Sequence, residues 1–458
     1  MLNFLHLSSR RKRFNLYKSF WGSGSVKVFL VFCMAAATLA AQESPSDSSS
    51  GIGDSTRRVT ALSEFFDHDF VNVYAFANGI WDSRVPELTN NVLNYGSGLG
   101  WEAGGGIALS HRFKGGDITL NYSGSYRDYQ SQTFNGGVQQ SLSLAVTKRL
   151  ARHWSLGASV AGGILAYGTS YYGTSAGGTT AASNPFSSSS RFLNAGVGIT
   201  YAQTRRLSYV FSGNYFLSNF SYGSSFSSQG VTGGASVLYR TTVRTTVGAS
   251  YNHTYYTYTH STVKTNVDGV ALNVSHRFAS HFQLDLSGGV NRINSSGTIS
   301  IPVTLVFDGQ TVTGYYVGPF SRTTNAPTFR GFLTYGTRHS GFSIGGGEGV
   351  SSGNGTYLTS RNQYGALTYS YSIPARRANI SAGGTYSRLS SVANNVTQAY
   401  ESYGASVGGG INLVRYVSAN ARYDYIHYAG LYVFSGLSES RISFGLSLSS
   451  KSVPLTLF

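Results

Sequence analysis

From about Phe70 to the end of the chain, apolar and polar residues alternate with a period of two, in one segment of about ten residues after another. Within Ile118 to Arg127, Ile118, Leu120, Tyr122, Gly124 and Tyr126 share one face, and Thr119, Asn121, Ser123, Ser125 and Arg127 share the other. The split recurs at Phe282 to Asn291, at Val417 to Asp424 and at Ile442 to Ser449. Successive side chains of a strand point to opposite faces, so this period specifies strands with one apolar and one polar side. A soluble sandwich alternates too, but its strands average about 5 to 6 residues. Segments of about 9 to 11 residues with an aromatic-rich outer face and a wet inner face fit tilted strands that cross a bilayer.

The connections alternate as well. Short basic turns are expected at Phe113 to Gly116, Arg149 to His153, Arg205 with Arg206, Arg240 to Arg244, Phe278 to His281, Arg338 to Gly341, Pro374 to Arg377, and Arg415 with Tyr416. Between them lie long Ser/Gly/Thr/Asn stretches such as Ser170 to Ser190 and Ser295 to Asn325. Those eight turns join sixteen strands, and a first strand near Phe70 to Asp82 with a last near Ser440 to Ser449 makes about eighteen. Sixteen and fourteen are the alternative counts. The stretch from Ser295 to Asn325 is expected to be an outer loop. Its Asp308-Gly309 pair is a hairpin turn signal, which leaves open a hairpin rising above the membrane or two more barrel strands. The fold class is all-β, a transmembrane antiparallel up-and-down barrel without a second domain.

The first residues set an address. Arg10, Arg11, Lys12 and Arg13, with Lys18 and Lys27, precede the apolar run Val28 to Ala37 and the small residues Ala40 and Ala41. This is the pattern of a secretory signal peptide over residues 1–41, and the run is shorter than the roughly 20 residues a membrane helix needs. Residues 42–69 read as a flexible periplasmic leader, poor in core-forming side chains, and 70–458 as the barrel. The only cysteine, Cys33, lies in the signal segment, so stability has to come from closure and not from disulfides. Removing the signal would lower the formal charge from +16 to about +10. With 11% charged and 14% aromatic residues, the chain has the wrong surface for a soluble domain.

Over its whole exported part the chain resembles Gram-negative outer-membrane β-barrel proteins of the porin-like class. The resemblance rests on the architecture and on the terminal Phe458, because such barrels commonly end in an aromatic residue read by the assembly machinery. Thr456 and Pro454, at alternate positions before it, depart from the apolar pattern, so the recognised strand is expected over Ile442, Phe444, Leu446 and Leu448. The resemblance implies outer-membrane lipid and the barrel assembly machinery as partners, and names no particular solute.

By parity Arg127, Arg277, Arg330 and Arg422 face the lumen, with Asp285 and Asp424. Rings of one charge bias which ions pass, so these six are the pore-lining candidates and a mild anion preference is expected. The competing reading, favoured for Arg422 and Asp424, is that they brace the wall by pairing with neighbouring strands. The arginines of the short turns read as interface anchors before they read as an anion-binding rim. Most other inward positions are small, as at Gly404, Ser406, Gly408, Gly410 and Asn412, which favours a conduit, although the Ser170 to Ser190 loop could fold inward and narrow it. Tyr167, Tyr255, Tyr335, Tyr371 and Tyr425 suit an aromatic girdle better than a sugar track.

Catalytic readings fare poorly. Asp67, His68 and Asp69 are metal-capable, but adjacent residues diverge and no further ligand is spaced to complete a site. His253 and His276 are outward by parity, which removes them from any Ser-His-Asp set. Gly345 to Gly347 lack the strand-to-helix setting of a phosphate loop, and the basic turns lack the fold of a nucleic-acid module. No cofactor is implied. The leading expectation is a channel for small hydrophilic solutes or an exported polymer. The rival is a surface-binding or structural barrel with a closed lumen, its loops contacting cells or glycans.

Overall fold

A computed structural model describes residues 70–454, apart from 90–91, 131–136, 167–171, 176–177, 182–188, 221–226, 260, 280, 308–309, 338, 353–357, 374–376, 393–398, 430–435 and 451–452. The expected signal segment and leader, the Asp67, His68, Asp69 group, Tyr167 and Phe458 lie outside the described residues.

Eighteen long strands follow one another. They are β1 (Phe70–Thr89), β2 (Val92–Phe113), β3 (Gly116–Tyr129), β4 (Gly137–Arg149), β5 (Trp154–Ala166), β6 (Ser189–Ala202), β7 (Leu207–Phe220), β8 (Ser228–Arg240) and β9 (Thr245–Tyr258). The second half comprises β10 (Lys264–Arg277), β11 (Phe282–Phe307), β12 (Gln310–Gly336), β13 (Ser340–Ser351), β14 (Ser360–Ile373), β15 (Ala378–Ser391), β16 (Ala399–Asn412), β17 (Val417–Ala429) and β18 (Leu437–Ser449). Each pairs antiparallel with the next, and β18 returns to β1 in a register running from Tyr74↔Ser449 to Asp82↔Arg441. Closure leaves no sheet edge along this seam. The count of eighteen and all eight expected short turns agree with these strand bounds.

Sequence parity sets the two surfaces. Leu272 is 68% exposed and Phe444 63%, on an outward belt that also carries Val73, Ile107, Val290, Leu367, Ile411 and Leu446. A polar interior inside a continuous apolar outer belt is the arrangement of a barrel solvated by lipid. At one edge of the belt the outward rings of Trp101 and Tyr126 lie 5.5 Å apart, and those of Tyr386 and Tyr403 5.2 Å.

Short turns occupy one rim. Lys114 and Gly115 form a two-residue turn in which Gly115 takes φ 78°, a left-handed conformation that side chains disfavour. Three others use a threonine: Thr204 Oγ1 accepts from the Leu207 amide (2.9 Å), Thr242 Oγ1 from Arg244 (3.2 Å), and Thr337 Oγ1 from Ser340 (3.0 Å). The hydroxyl supplies the bond that tightens the turn.

On the opposite rim the outer-loop expectation for Ser295 to Asn325 gives way to the hairpin that the Asp308-Gly309 signal left open. β11 and β12 run on for 26 and 27 residues and stay paired from Phe282↔Tyr335 to Phe307↔Gln310, forming a hairpin that extends well past its neighbours. The Ile-Ser-Ile-Pro-Val-Thr-Leu alternation from residue 299 and the Asp308-Gly309 signal explain it. Within the stretch from Ser170 to Ser190, Tyr172–Ser175 and Gly178–Ala181 pair as a small hairpin, and its second strand lies against β13, on a distant part of the wall.

Candidate functional site in the barrel lumen

The inward face carries three distinct surfaces. On β16, Gly404, Ser406, Gly408, Gly410 and Asn412 alternate with outward Tyr403, Val407 and Ile411, so this wall offers small polar groups and room. Small residues on the inward face of a barrel this wide leave space for water.

The second surface is charged and centred on the seam. Arg441 of β18 stands between Asp82 of β1 and Asp424 of β17 in the strand register. Its Nη2 donates to Asp82 Oδ2 (2.9 Å) and to Glu439 Oε1 (2.9 Å), and the Tyr129 hydroxyl donates to the same Asp82 oxygen (3.2 Å). The Asp82 side chain is 2% exposed and that of Arg441 14%. On the adjoining β2–β3 pair, Arg127 Nη2 donates to Glu102 Oε2 (2.9 Å), whose other oxygen accepts from Ser125 Oγ (2.6 Å). On β17, Arg422 Nε donates to Asp424 Oδ1 (2.8 Å), so these two bond each other on one strand. Taken together, Arg127, Arg422 and Arg441 face Asp82, Glu102, Asp424 and Glu439, and the patch has no positive excess.

The third surface is apolar and packed. Phe216 (β7), Tyr256 and Tyr258 (β9), Val263 just before β10, Val267 (β10), Ile293 (β11), Ala326 (β12) and Val350 (β13) form one buried cluster at the long-loop end, with Leu358 against it. Hydroxyls ring it: Thr232 with Thr254 (3.0 Å), and Thr265 with Ser295 (3.0 Å). Except for Val350, which is in phase with outward Ile344, the strand residues of this cluster occupy positions that are inward by parity.

The sequence candidates thus fall into separate places. Arg127, Arg422 and Asp424 belong to the charged patch. Arg330 lies on β12 with its guanidinium 4.8 Å from the Phe332 ring, and Asp285 accepts from Gln283 Nε2 (3.0 Å) on β11. Arg277 ends β10 at the short-turn rim, exposed. Sequence reading missed Asp82, Glu102, Glu439 and Arg441. All four are in phase with polar neighbours and were accessible to parity. It also missed the apolar cluster, whose signal is a break in alternation where Tyr255, Tyr256 and Tyr258 crowd the end of β9. His253 and His276 are on the outward face as expected: His253 Nδ1 lies 2.8 Å from Asp268, beside outward Tyr251. Ile442, Phe444, Leu446 and Leu448 form the outward face of β18, and Phe444 covers outward Gly79 across the seam.

No protein-family model matches the chain, and neither does any curated protein. Among solved structures, the chain is similar to the outer membrane protein OpdK of Pseudomonas aeruginosa (10% identity, 83% of this chain, 99% of that one, TM-score 0.40). It is also similar to OccK2 of the same organism in complex with glucuronate (10%, 83% and 98%, 0.38), and to OpdL (12%, 83% and 99%, 0.36). The eighteen-strand closure rests on this chain's own strand pairing and not on these likenesses.

Proposed function

We propose that the chain is a passive outer-membrane channel through which small hydrophilic solutes diffuse, inserted by the barrel assembly machinery with β18 as the recognised strand. The observation that carries this reading is a closed barrel of eighteen strands with an apolar outer belt and, on β16, an inward face of glycine, serine and asparagine. Short turns mark the periplasmic rim and the long connections the cell surface. Because Arg127 and Arg422 are offset by carboxylates, charge selectivity is weak, and any anion preference arises at the periplasmic rim, where Arg205, Arg206, Arg244, Arg277 and Arg415 are exposed.

Purified protein in a planar bilayer is expected to give stable ohmic current, with a reversal potential close to zero or slightly anion-selective in a salt gradient. Absence of current under conditions where a known porin conducts rejects the channel. The apolar cluster across the mouth favours one second reading, a surface-binding barrel with its lumen closed, and that reading predicts no current.

A further inference from the structure

The wall divides at Glu348. Below it, β12 and β13 are paired from Gly336↔Gly341 up to Phe329↔Glu348. Above it, β12 continues on β11 as far as Gln310, and β13 continues on β14 up to Ser351↔Ser360, but β12 and β13 no longer pair with each other. Two sequence features account for the break. Pro327, two residues above the last pair, has no N–H for a ladder, and Gly345, Gly346, Gly347 and Gly349 let β13 bend.

The freed end of the β13–β14 pair then meets strands that are not its neighbours. Ser352 Oγ is 3.1 Å from Ser228 Oγ at the start of β8. Thr359 Oγ1 is 2.7 Å from the Tyr258 hydroxyl of β9 and 2.8 Å from Thr265 Oγ1 of β10. Val350 and Leu358 pack into the inward cluster of Phe216, Tyr256, Val267 and Ile293. Val350 and Ser352 are in phase with outward Ile344, and Thr359 with outward Leu367, so the β13–β14 end turns the continuation of its outer face onto the inward faces of β7–β11.

We propose that this end of the β13–β14 pair is a gate that docks on the inner wall of β7–β11 and releases toward the unpaired edge of β12. The inference rests on the channel reading above. The docking surface suits a reversible contact, because its apolar centre is small and its margin is hydroxyl. Thr265, Ser228, Ser352 and Thr359 exchange their bonds for water at little net cost on release, so the apolar centre sets the balance between docked and released. Continuing the existing register on release would bring Gly349 and Val350 opposite Thr328 and Pro327.

The test is a Ser228→Cys/Ser352→Cys double variant, with folding checked by heat-modifiable migration. The two hydroxyl oxygens lie 3.1 Å apart, and Cys33 of the signal segment is the only native cysteine. Mass spectrometry is expected to show the crosslink after oxidation, with loss of single-channel current that a reductant restores. Val350→Asp is expected to do the opposite, giving larger current and fewer closures. A folded variant that does not crosslink overturns the docked geometry, and a complete crosslink with reductant-insensitive current overturns the gate alone. If the crosslink forms but neither wild type nor Val350→Asp conducts, the channel reading falls and takes the gate with it.

Discussion

Arg441 and Arg422 face the lumen from adjacent strands in different settings. Arg441 is buried against two carboxylates, whereas the Arg422 side chain is 60% exposed beside Asp424. Removing one partner of a buried ion pair leaves an uncompensated charge, which costs on the order of 3 kcal/mol, while an exposed pair contributes less than about 1 kcal/mol. Asp82→Asn is therefore expected to lower the urea midpoint of the barrel in micelles markedly, and Asp424→Asn hardly at all. The triple variant Asp82→Ala/Glu439→Gln/Arg441→Met should recover much of the loss, because it removes all three buried charges together. Equal midpoints for the two Asn variants would refute the distinction. Parity made the inward direction of Arg127, Arg422 and Asp424 legible. The partners were harder to read, because a cross-strand contact depends on register, and register is written in both strands at once.

At the scale of elements, the alternation has a direct test on β18. Leu446→Arg puts a charge on the lipid face and is expected to destabilise the folded barrel by about 2–4 kcal/mol, whereas Ser447→Asn, on the lumen face, should be close to neutral in the same vesicle-unfolding measurement. Matching losses would mean that the inside and outside of β18 are misassigned. The β11–β12 hairpin is a different case. The alternation lapses at Ser295, Ser296 and Gly297 before it resumes at Ile299, although the backbone pairing is continuous. That is why the sequence reads as a loop where the structure has strands. Replacing residues 299–318 by Asn-Gly, which keeps Thr298 opposite Pro319, is expected to leave heat-modifiable migration unchanged. A barrel that no longer folds would show that the projection belongs to the wall.

For the whole molecule, the signal was strongest where one side of the wall faces lipid and the other water, because only that boundary imposes period two along the entire chain. Closure by eighteen strands followed from counting turns. The filling of the mouth did not, because apolar residues on inward positions look like lapses in a pattern until the opposing β13–β14 end is seen against them. Every strand junction but one joins neighbours in sequence, and such hairpins can form locally. The seam is the exception: Arg441 and Asp82 meet across 359 residues. Joining ends so far apart carries the largest loop-closure entropy of any contact in the barrel, and contacts of that separation form slowly. Refolding should therefore proceed as an open curved sheet that grows hairpin by hairpin, with burial of the Arg441 guanidinium against Asp82 as its last event.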